Sequence, residues 1–326
     1  MNFIHLTCDH RFGGINKLIN ILAESDHKSN NHYSFKSENP SPYLYQHNCI
    51  RFNLRKRKGM LLIVDMVLNL PFVLFHGFRA DIIVLHSILL IPYALLFSLG
   101  GKRLYFIVHD FNNPLPLIRL TNYIFSDKIR FVSPVLIDSF SRSLYSRLNV
   151  VLPITQAYIQ SIDNKSKIIT SINPGELSLS FLYVGSLSYV KGLQLFLENL
   201  CALSIDIPIT IHVIGGLENR YLQNFHKLKL PSNTKVIYHG SIYNDELKSQ
   251  IASMCDFSLI PSISEAFPYV YSESLMYKKI PLCSSISSFT SITSLRSHIF
   301  DNKSLYQIQR ALEWASSLSS IDYMNY

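Results

Sequence analysis

At 326 residues the chain is long enough for two domains that each bury a core, and 48% of it is apolar against 16% charged. A net charge of +8 favours anionic partners, yet no zinc-finger spacing, RNP-like run or heptad-bearing basic region points to nucleic acid. Five cysteines without paired spacing (Cys8, Cys49, Cys201, Cys255, Cys283) and a start without a cleavable signal pattern argue for a reducing cytoplasm. No Cys/His cluster has zinc spacing and no two aspartates are one residue apart, so no protein-ligated metal is expected.

Strand-like apolar runs recur with helical stretches between them, over residues 2–6, 82–86, 104–109, 129–133, 181–185, 209–215, 235–239, 256–261 and 280–284. Such alternation predicts parallel α/β sheets, and several runs end in glycine or a polar group, as at strand ends that open onto a ligand crevice. Gly13-Gly14 closes the loop after the first run. Arg51, Arg55, Lys56, Arg57 and Lys58 then precede an apolar segment, 60–78, in which Leu61, Leu62, Val64, Val67, Leu68 and Phe72 crowd one face. This reads as a segment, 51–78 in all, pressed against an anionic membrane surface. A core helix behind a solvated charge run is the other reading.

The stretch 82–99 approaches the length of a membrane span. Its β-branched first half closes on His86-Ser87, however, and Pro92 opens a second segment that stops at Gly100-Gly101. That is the pattern of a strand, a loop and a buried helix. Residues 153–180 mix Asn, Ser, Lys and Pro with weak periodicity and divide the strands into two groups. Domains are therefore expected over 1–152 and 153–303, with a terminal helix in 304–326.

In the second group, Leu193, Phe196, Leu197 and Leu200 share one helical stripe. Leu247, Ile251 and Met254 share another behind a cap at Asn244 or Asp245, and both stripes read as core. Leu305, Ile308, Leu312 and Ala315 form a third near the end. Between the strand at 256–261 and the helical run that follows Pro268 stand two carboxylates, Glu265 and Glu273, at the mouth of a helix. Amides and the dipole at such a terminus suit phosphate, and flanking carboxylates accept hydrogen bonds from sugar hydroxyls.

Read in order, Tyr183-Val184-Gly185-Ser186-Leu187, Lys191-Gly192, Val213-Ile214-Gly215-Gly216, Tyr238-His239-Gly240-Ser241, Pro261-Ser262, Glu265, Glu273 and Ile280-Pro281 resemble the C-terminal half of the retaining family 4-type glycosyltransferases. The resemblance implies an α/β GT-B fold, two Rossmann-like domains facing across a cleft, with the donor nucleotide on the second, the acceptor on the first, and the terminal helix of 304–326 crossing back to the first. It implies that Glu273 holds the donor ribose, that Glu265 contacts the transferred sugar near the reacting carbon, and that Lys191 contacts the diphosphate. Ser186 stands where many relatives carry a second cationic clamp, and Pro268 where many carry glycine, so the amides of Phe267, Tyr269 and Val270 would serve the phosphates.

In the first half, the resemblance assigns Gly13 and Gly14 to a loop that lets backbone approach the diphosphate. It likens His109 to a histidine that touches the donor sugar; Asp110, next in the chain, reads as an exposed loop acid, with help in the acceptor's proton transfer as the other reading. Ile242 and Tyr243 are expected to flank the base. The implied reaction is metal-independent, retaining hexosyl transfer from a nucleotide-diphosphate sugar, with no cofactor. The implied acceptor is a glycan or polyprenyl-diphosphate-linked chain of a cell-surface polysaccharide such as O-antigen, capsule or lipopolysaccharide, at the inner face of the plasma membrane. A non-catalytic scaffold subunit and a sugar-nucleotide hydrolase or epimerase on the same fold are the alternatives. A dehydrogenase is disfavoured, because no Gly-x-Gly-x-x-Gly follows any predicted strand.

Overall fold

The computed structural model describes residues 2–7, 15, 18–19, 22–23, 31–35, 49–50, 60–109, 115–132, 136, 178–216, 228–265, 269–290 and 298–318. The chain divides into two compact units, Met1–Gln160 and Ser161–Tyr326. The division falls within residues 153–180, the stretch expected to separate the two groups of strands.

The first unit holds β1 (Asn2–Leu6), β2 (Asn31–Phe35), β3 (Cys49–Ile50), β4 (Ile82–Leu85), β5 (Arg103–Val108) and β6 (Ile129–Phe131), paired in the order β3-β2-β1-β4-β5-β6. Every pairing is parallel, so connections must cross over the sheet. Ile4, Leu6, Ile83, Leu85, Leu104, Phe106 and Phe131 are buried, as expected of strands covered on both faces. The helices are α1 (Met60–Arg79), α2 (Ile91–Leu99) and α3 (Leu115–Phe125). Pro92 sits in the first turn of α2, where its missing N–H removes no intrahelical bond. The 82–99 stretch is thus a strand, a short 3-10 turn at Ile88–Leu90 and a helix. Among the described residues no helix is long and apolar enough to cross a membrane.

Helix α1 carries an apolar residue on nearly every face. Met66 and Val73 are buried, and Met66 O accepts a 2.7 Å hydrogen bond from the Tyr93 hydroxyl of α2. Val64, Val67, Leu68, Phe75 and Phe78 are exposed, Leu68 by 73%. The side chains of Leu61 and Leu62 and the basic run 51–58 lie outside the described residues.

The second unit repeats the plan with β7 (Leu179–Val184), β8 (Ile209–Ile214), β9 (Thr234–Tyr238), β10 (Phe257–Ile260), β11 (Ile280–Ser284) and β12 (Ile299–Phe300), in the order β12-β11-β10-β7-β8-β9. This is the doubly wound order of a Rossmann-like sheet, again wholly parallel. Its helices are α4 (Leu193–Cys201), α5 (Asp245–Ser253), α6 (Tyr269–Met276) and α7 (Leu305–Ser317). The stripe Leu193, Phe196, Leu197 and Leu200 packs into the core with Phe181, Ile211 and Phe257. Ile308, Leu312 and Ala315 of α7 enter the same core, while Leu305 faces out. The terminal helix is therefore part of this unit's core through Ser317; residues 319–326 are outside the described set.

One stripe departs from expectation. On α5 only Ile251 of the three expected core residues is buried, beside Ala252, whereas Leu247 and Met254 are 44% and 54% exposed. The helix meets the sheet through a small cluster with Leu182 of β7 and Ile214 of β8, joined by Tyr277 after α6. Its cap is Asn244, whose side chain accepts from Leu247 N at 3.1 Å.

Candidate functional site

In a doubly wound sheet the connections on either side of the order reversal leave in opposite directions and open a crevice at the carboxyl ends of the strands. Here the reversal lies between β7 and β10, which pair directly. The loops that leave these two strands carry Lys191 and Glu265.

After β7 the chain makes a tight loop. Tyr183 is buried and its hydroxyl donates to Ser186 O at 3.0 Å; burial, then the Glu265 carboxylate, push the phenol's pKa up, so it stays a neutral donor. Leu187 N donates to Gly216 O at 2.8 Å, tying this loop to the one after β8. A 3-10 turn, Tyr189–Lys191, ends at Gly192, which has φ of 68° and opens α4. A side chain there would overlap the Pro261 carbonyl oxygen, so glycine is required both by the left-handed backbone and by the approach of the two loops. Gly215 is required by contact too: a Cβ would overlap the Gly185 carbonyl oxygen.

The loop after β10 is held from three sides. Ile263 N donates to Val190 O at 2.8 Å, the Ser284 hydroxyl donates to Ser262 O, and the Asn302 amide donates to Pro261 O at 2.6 Å and Gly192 O at 3.2 Å. Asn302 O in turn accepts from Asn199 Nδ2 of α4 at 2.8 Å. Glu265 belongs to the same loop. Its Oε1 is ion-paired with Lys191 Nζ and accepts a 2.9 Å hydrogen bond from the Ser262 hydroxyl. The two residues are 74 positions apart in the chain.

Glu273 lies in the second turn of α6, partly exposed, and its carboxylate adds to burial in pushing up the pKa of the Tyr269 phenol one turn earlier. Tyr269 and Val270 form the first turn of that helix. Ser186 is exposed, its hydroxyl 3.4 Å from that of Ser188, and offers one neutral hydrogen bond at the mouth of the β7 loop. Ile242, between β9 and α5, packs against the cluster that includes Leu182, Ile214 and Ile251, with Tyr243 exposed beside it. All of these stand at the carboxyl edge of one sheet. Phe267, Pro268, Gly13, Gly14 and Asp110 lie outside the described residues.

His109 belongs to the first unit, immediately after β5. Its Nε2 is 3.0 Å from His86 Nδ1, and burial pushes its pKa down to about 3, so the ring is neutral. Among the described residues no group of three His, Cys, Asp or Glu side chains is placed to hold a metal ion. Sequence reasoning missed Tyr183, Ser262, Ser284 and Asn302. Tyr183 and Ser262 lay within recognised motifs without a role of their own; Asn302 follows a strand of two residues, Ile299–Phe300, too short to be marked by the sequence.

The arrangement suits a ligand with adjacent positive and negative demands. A cation and a carboxylate meet at the crevice, a helix start and a second carboxylate follow, and several loop amides line the same edge. Residues 164–320 match the family described as glycosyl transferases group 1. Among solved structures, HepE from Anabaena, in complex with UDP and glucose, is similar with 15% identity and a TM-score of 0.67 over 99% of this chain and 95% of that one. Sucrose-phosphate synthase from Thermosynechococcus elongatus is similar at 12% identity and TM-score 0.70, covering 99% and 93%. The trehalose 6-phosphate synthase of Burkholderia multivorans is similar at 13% and 0.69, covering 99% and 90%. No curated protein matches the chain by sequence. These likenesses establish the GT-B fold for the chain.

Proposed function

We propose that the protein transfers a hexosyl group from a nucleotide-diphosphate sugar, with retention of anomeric configuration and without a protein-bound metal; the match of residues 164–320 to glycosyl transferases group 1 and the GT-B fold support this reading. The observation that carries the reading is the Lys191–Glu265 pair at the reversal of the second sheet. Cleaving a sugar–phosphate bond builds positive charge on the sugar carbon and negative charge on the departing diphosphate. Groups fixed in advance against those charges lower the barrier. Lys191 faces the diphosphate and Glu265 the sugar, and each holds the other in place until the ligand divides them.

Glu273 takes the ribose hydroxyls as an acceptor of hydrogen bonds. The amides of the first turn of α6, with the helix dipole behind them, add to the phosphate clamp. Ser186 contributes a neutral hydrogen bond there, so Lys191 carries more of the charge neutralisation than it would beside a second cation. Attack from the face of the departing phosphate lets a phosphate oxygen take the acceptor hydroxyl's proton, and no side-chain base is needed for that step.

The proposed acceptor is lipid-linked, a glycan of a cell-surface polysaccharide on a polyprenyl diphosphate at the cytoplasmic face of the membrane. What supports it is the exposed stripe Val64, Val67, Leu68, Phe75 and Phe78 of α1, which follows a run of five basic residues among 51–58. The deciding assay incubates the protein and UDP-, GDP- or ADP-linked hexoses with a polyprenyl-diphosphate glycan in EDTA. Formation of one α-configured product supports the reading. Free sugar released at the full turnover rate without acceptor would replace transfer by hydrolysis, and no reaction with any donor would favour a scaffold role.

A further inference from the structure

The first sheet carries a row of three histidines at its own reversal. His5 lies on β1, His86 follows β4 and His109 follows β5, and β1, β4 and β5 are neighbours in the sheet. The strand order reverses between β1 and β4, so the row stands at the carboxyl edge where such sheets bind ligands. His5 Nδ1 is 3.0 Å from His86 Nε2, and His86 Nδ1 is 3.0 Å from His109 Nε2. Successive ring centroids are 5.3 and 5.2 Å apart. His86 spends both of its nitrogens inside the row. His5 and His86 are buried, whereas His109 is partly exposed and closes the row at the strand end.

A neutral imidazole has one N–H and one lone pair, and each contact in the row needs a single hydrogen between two nitrogens. Suppose His109 donates from Nε2 to His86 Nδ1. His86 then carries its own hydrogen on Nε2 and donates it to His5 Nδ1, which leaves the His5 hydrogen on Nε2. Suppose instead that His5 donates from Nδ1. The same reasoning then puts the hydrogen of every ring on Nδ1. Any mixed arrangement sets two hydrogens or two lone pairs against each other in a buried place, which forfeits a hydrogen bond and costs desolvation besides.

We propose that His5 and His86 are positioning residues that tie the tautomer of His109 to their own, so that whether His109 Nδ1 accepts a hydrogen bond or donates one is set jointly with the far end of the row at His5. With all hydrogens on Nε2, Nδ1 accepts from a ligand hydroxyl. With all on Nδ1, it donates to a carbonyl or phosphate oxygen. The row thereby couples the hydrogen-bonding character of His109 Nδ1 at this edge to the tautomer of His5, and it does so without any charge in the protein interior.

Long-range proton–nitrogen correlation spectra of the full-length, nitrogen-15-labelled protein test this directly. The rings are assigned by loss of signal in His109→Gln and His86→Gln. The expected wild-type result is that all three rings are neutral at pH 7 and share one tautomer. In His5→Phe, the ring nitrogens of His109 should shift toward tautomer-averaged values although His109's own neighbour His86 is unchanged. Rings of different tautomer in the wild type, or His109 nitrogens unmoved by His5→Phe in a folded protein, would overturn the proposal. The wild-type spectrum decides the first point even if that variant fails to fold. Neither readout depends on the identity of a donor, so this proposal and the glycosyl-transfer reading can fail separately.

Discussion

Lys191 and Glu265 form an ion pair in which the carboxylate is the deeper partner, 10% exposed against 31% for the lysine side chain. The anion is fixed by the Ser262 hydroxyl as well, while the cation has the freer end. An incoming diphosphate can therefore draw Lys191 toward itself without moving Glu265. The two residues should separate kinetically. Lys191→Ala removes a charge-assisted contact and should weaken nucleoside-diphosphate binding by about 10- to 100-fold. Glu265→Gln should leave that binding within about threefold and lower kcat by about 100-fold or more. Calorimetric titration of the diphosphate alongside steady-state transfer rates measures both.

Glycine is held to its conformation at two left-handed positions for different reasons. Gly101 has φ of 70° and open space around it, whereas Gly192 has φ of 68° and the Pro261 carbonyl against it. Alanine at 101 should cost about 1–2 kcal/mol, the strain of a left-handed residue alone. Alanine at 192 should cost at least about 2 kcal/mol more, since the β10 loop must also move. Urea midpoints of the two variants give the comparison, and Gly192→Ala should lose diphosphate binding as well.

Asn302 joins the two loops of the site through a side chain that donates to Gly192 O and Pro261 O. Asn302→Asp sets a carboxylate against those two carbonyl oxygens and should destabilise by about 2–3 kcal/mol, more than Asn302→Ala. Thermal unfolding ranks the pair; an aspartate variant as stable as wild type would show that the clamp does not hold the loops.

His86 and His109 are both kept neutral by burial, with the adjacent rings adding to the effect at His86. Below about pH 6.5 their unfolded imidazoles bind protons that the folded ones refuse, so the unfolded state holds more protons and stability rises with pH. The contribution is complete above that value and is lost as the pH falls toward about 3, the folded pKa of His109. Unfolding free energies between pH 4.5 and 7 should slope upward, and the slope should flatten in His109→Gln.

How much of this was legible in the sequence depended on how fully each element is covered. All nine strands expected from apolar runs are present, because strands buried on both faces of a parallel sheet read as unbroken hydrophobic stretches. β2 was missed: Asn31-His32-Tyr33-Ser34-Phe35 carries too few aliphatic residues to stand out, and its place comes from parallel pairing with β1. β12 has only two residues and is defined by pairing with β11. Periodicity placed Leu247, Ile251 and Met254 on one face of α5 but could not say how small the cluster beneath would be. Within the site, Lys191 and Glu265 were recognisable separately. Their direct pairing, the Asn302 clamp and the histidine row were not, because each joins strand ends that lie far apart in the chain and come together only when the sheet closes its order.

The most direct test of the central claim is the binding of UDP, GDP and ADP to the full-length protein by thermal shift, repeated with Glu273→Ala and Lys191→Ala. Stabilisation by one of the three that is lost in both variants is the predicted result. Absence of stabilisation by every diphosphate, or stabilisation that survives both substitutions, would contradict a nucleotide-sugar site at the reversal of the second sheet.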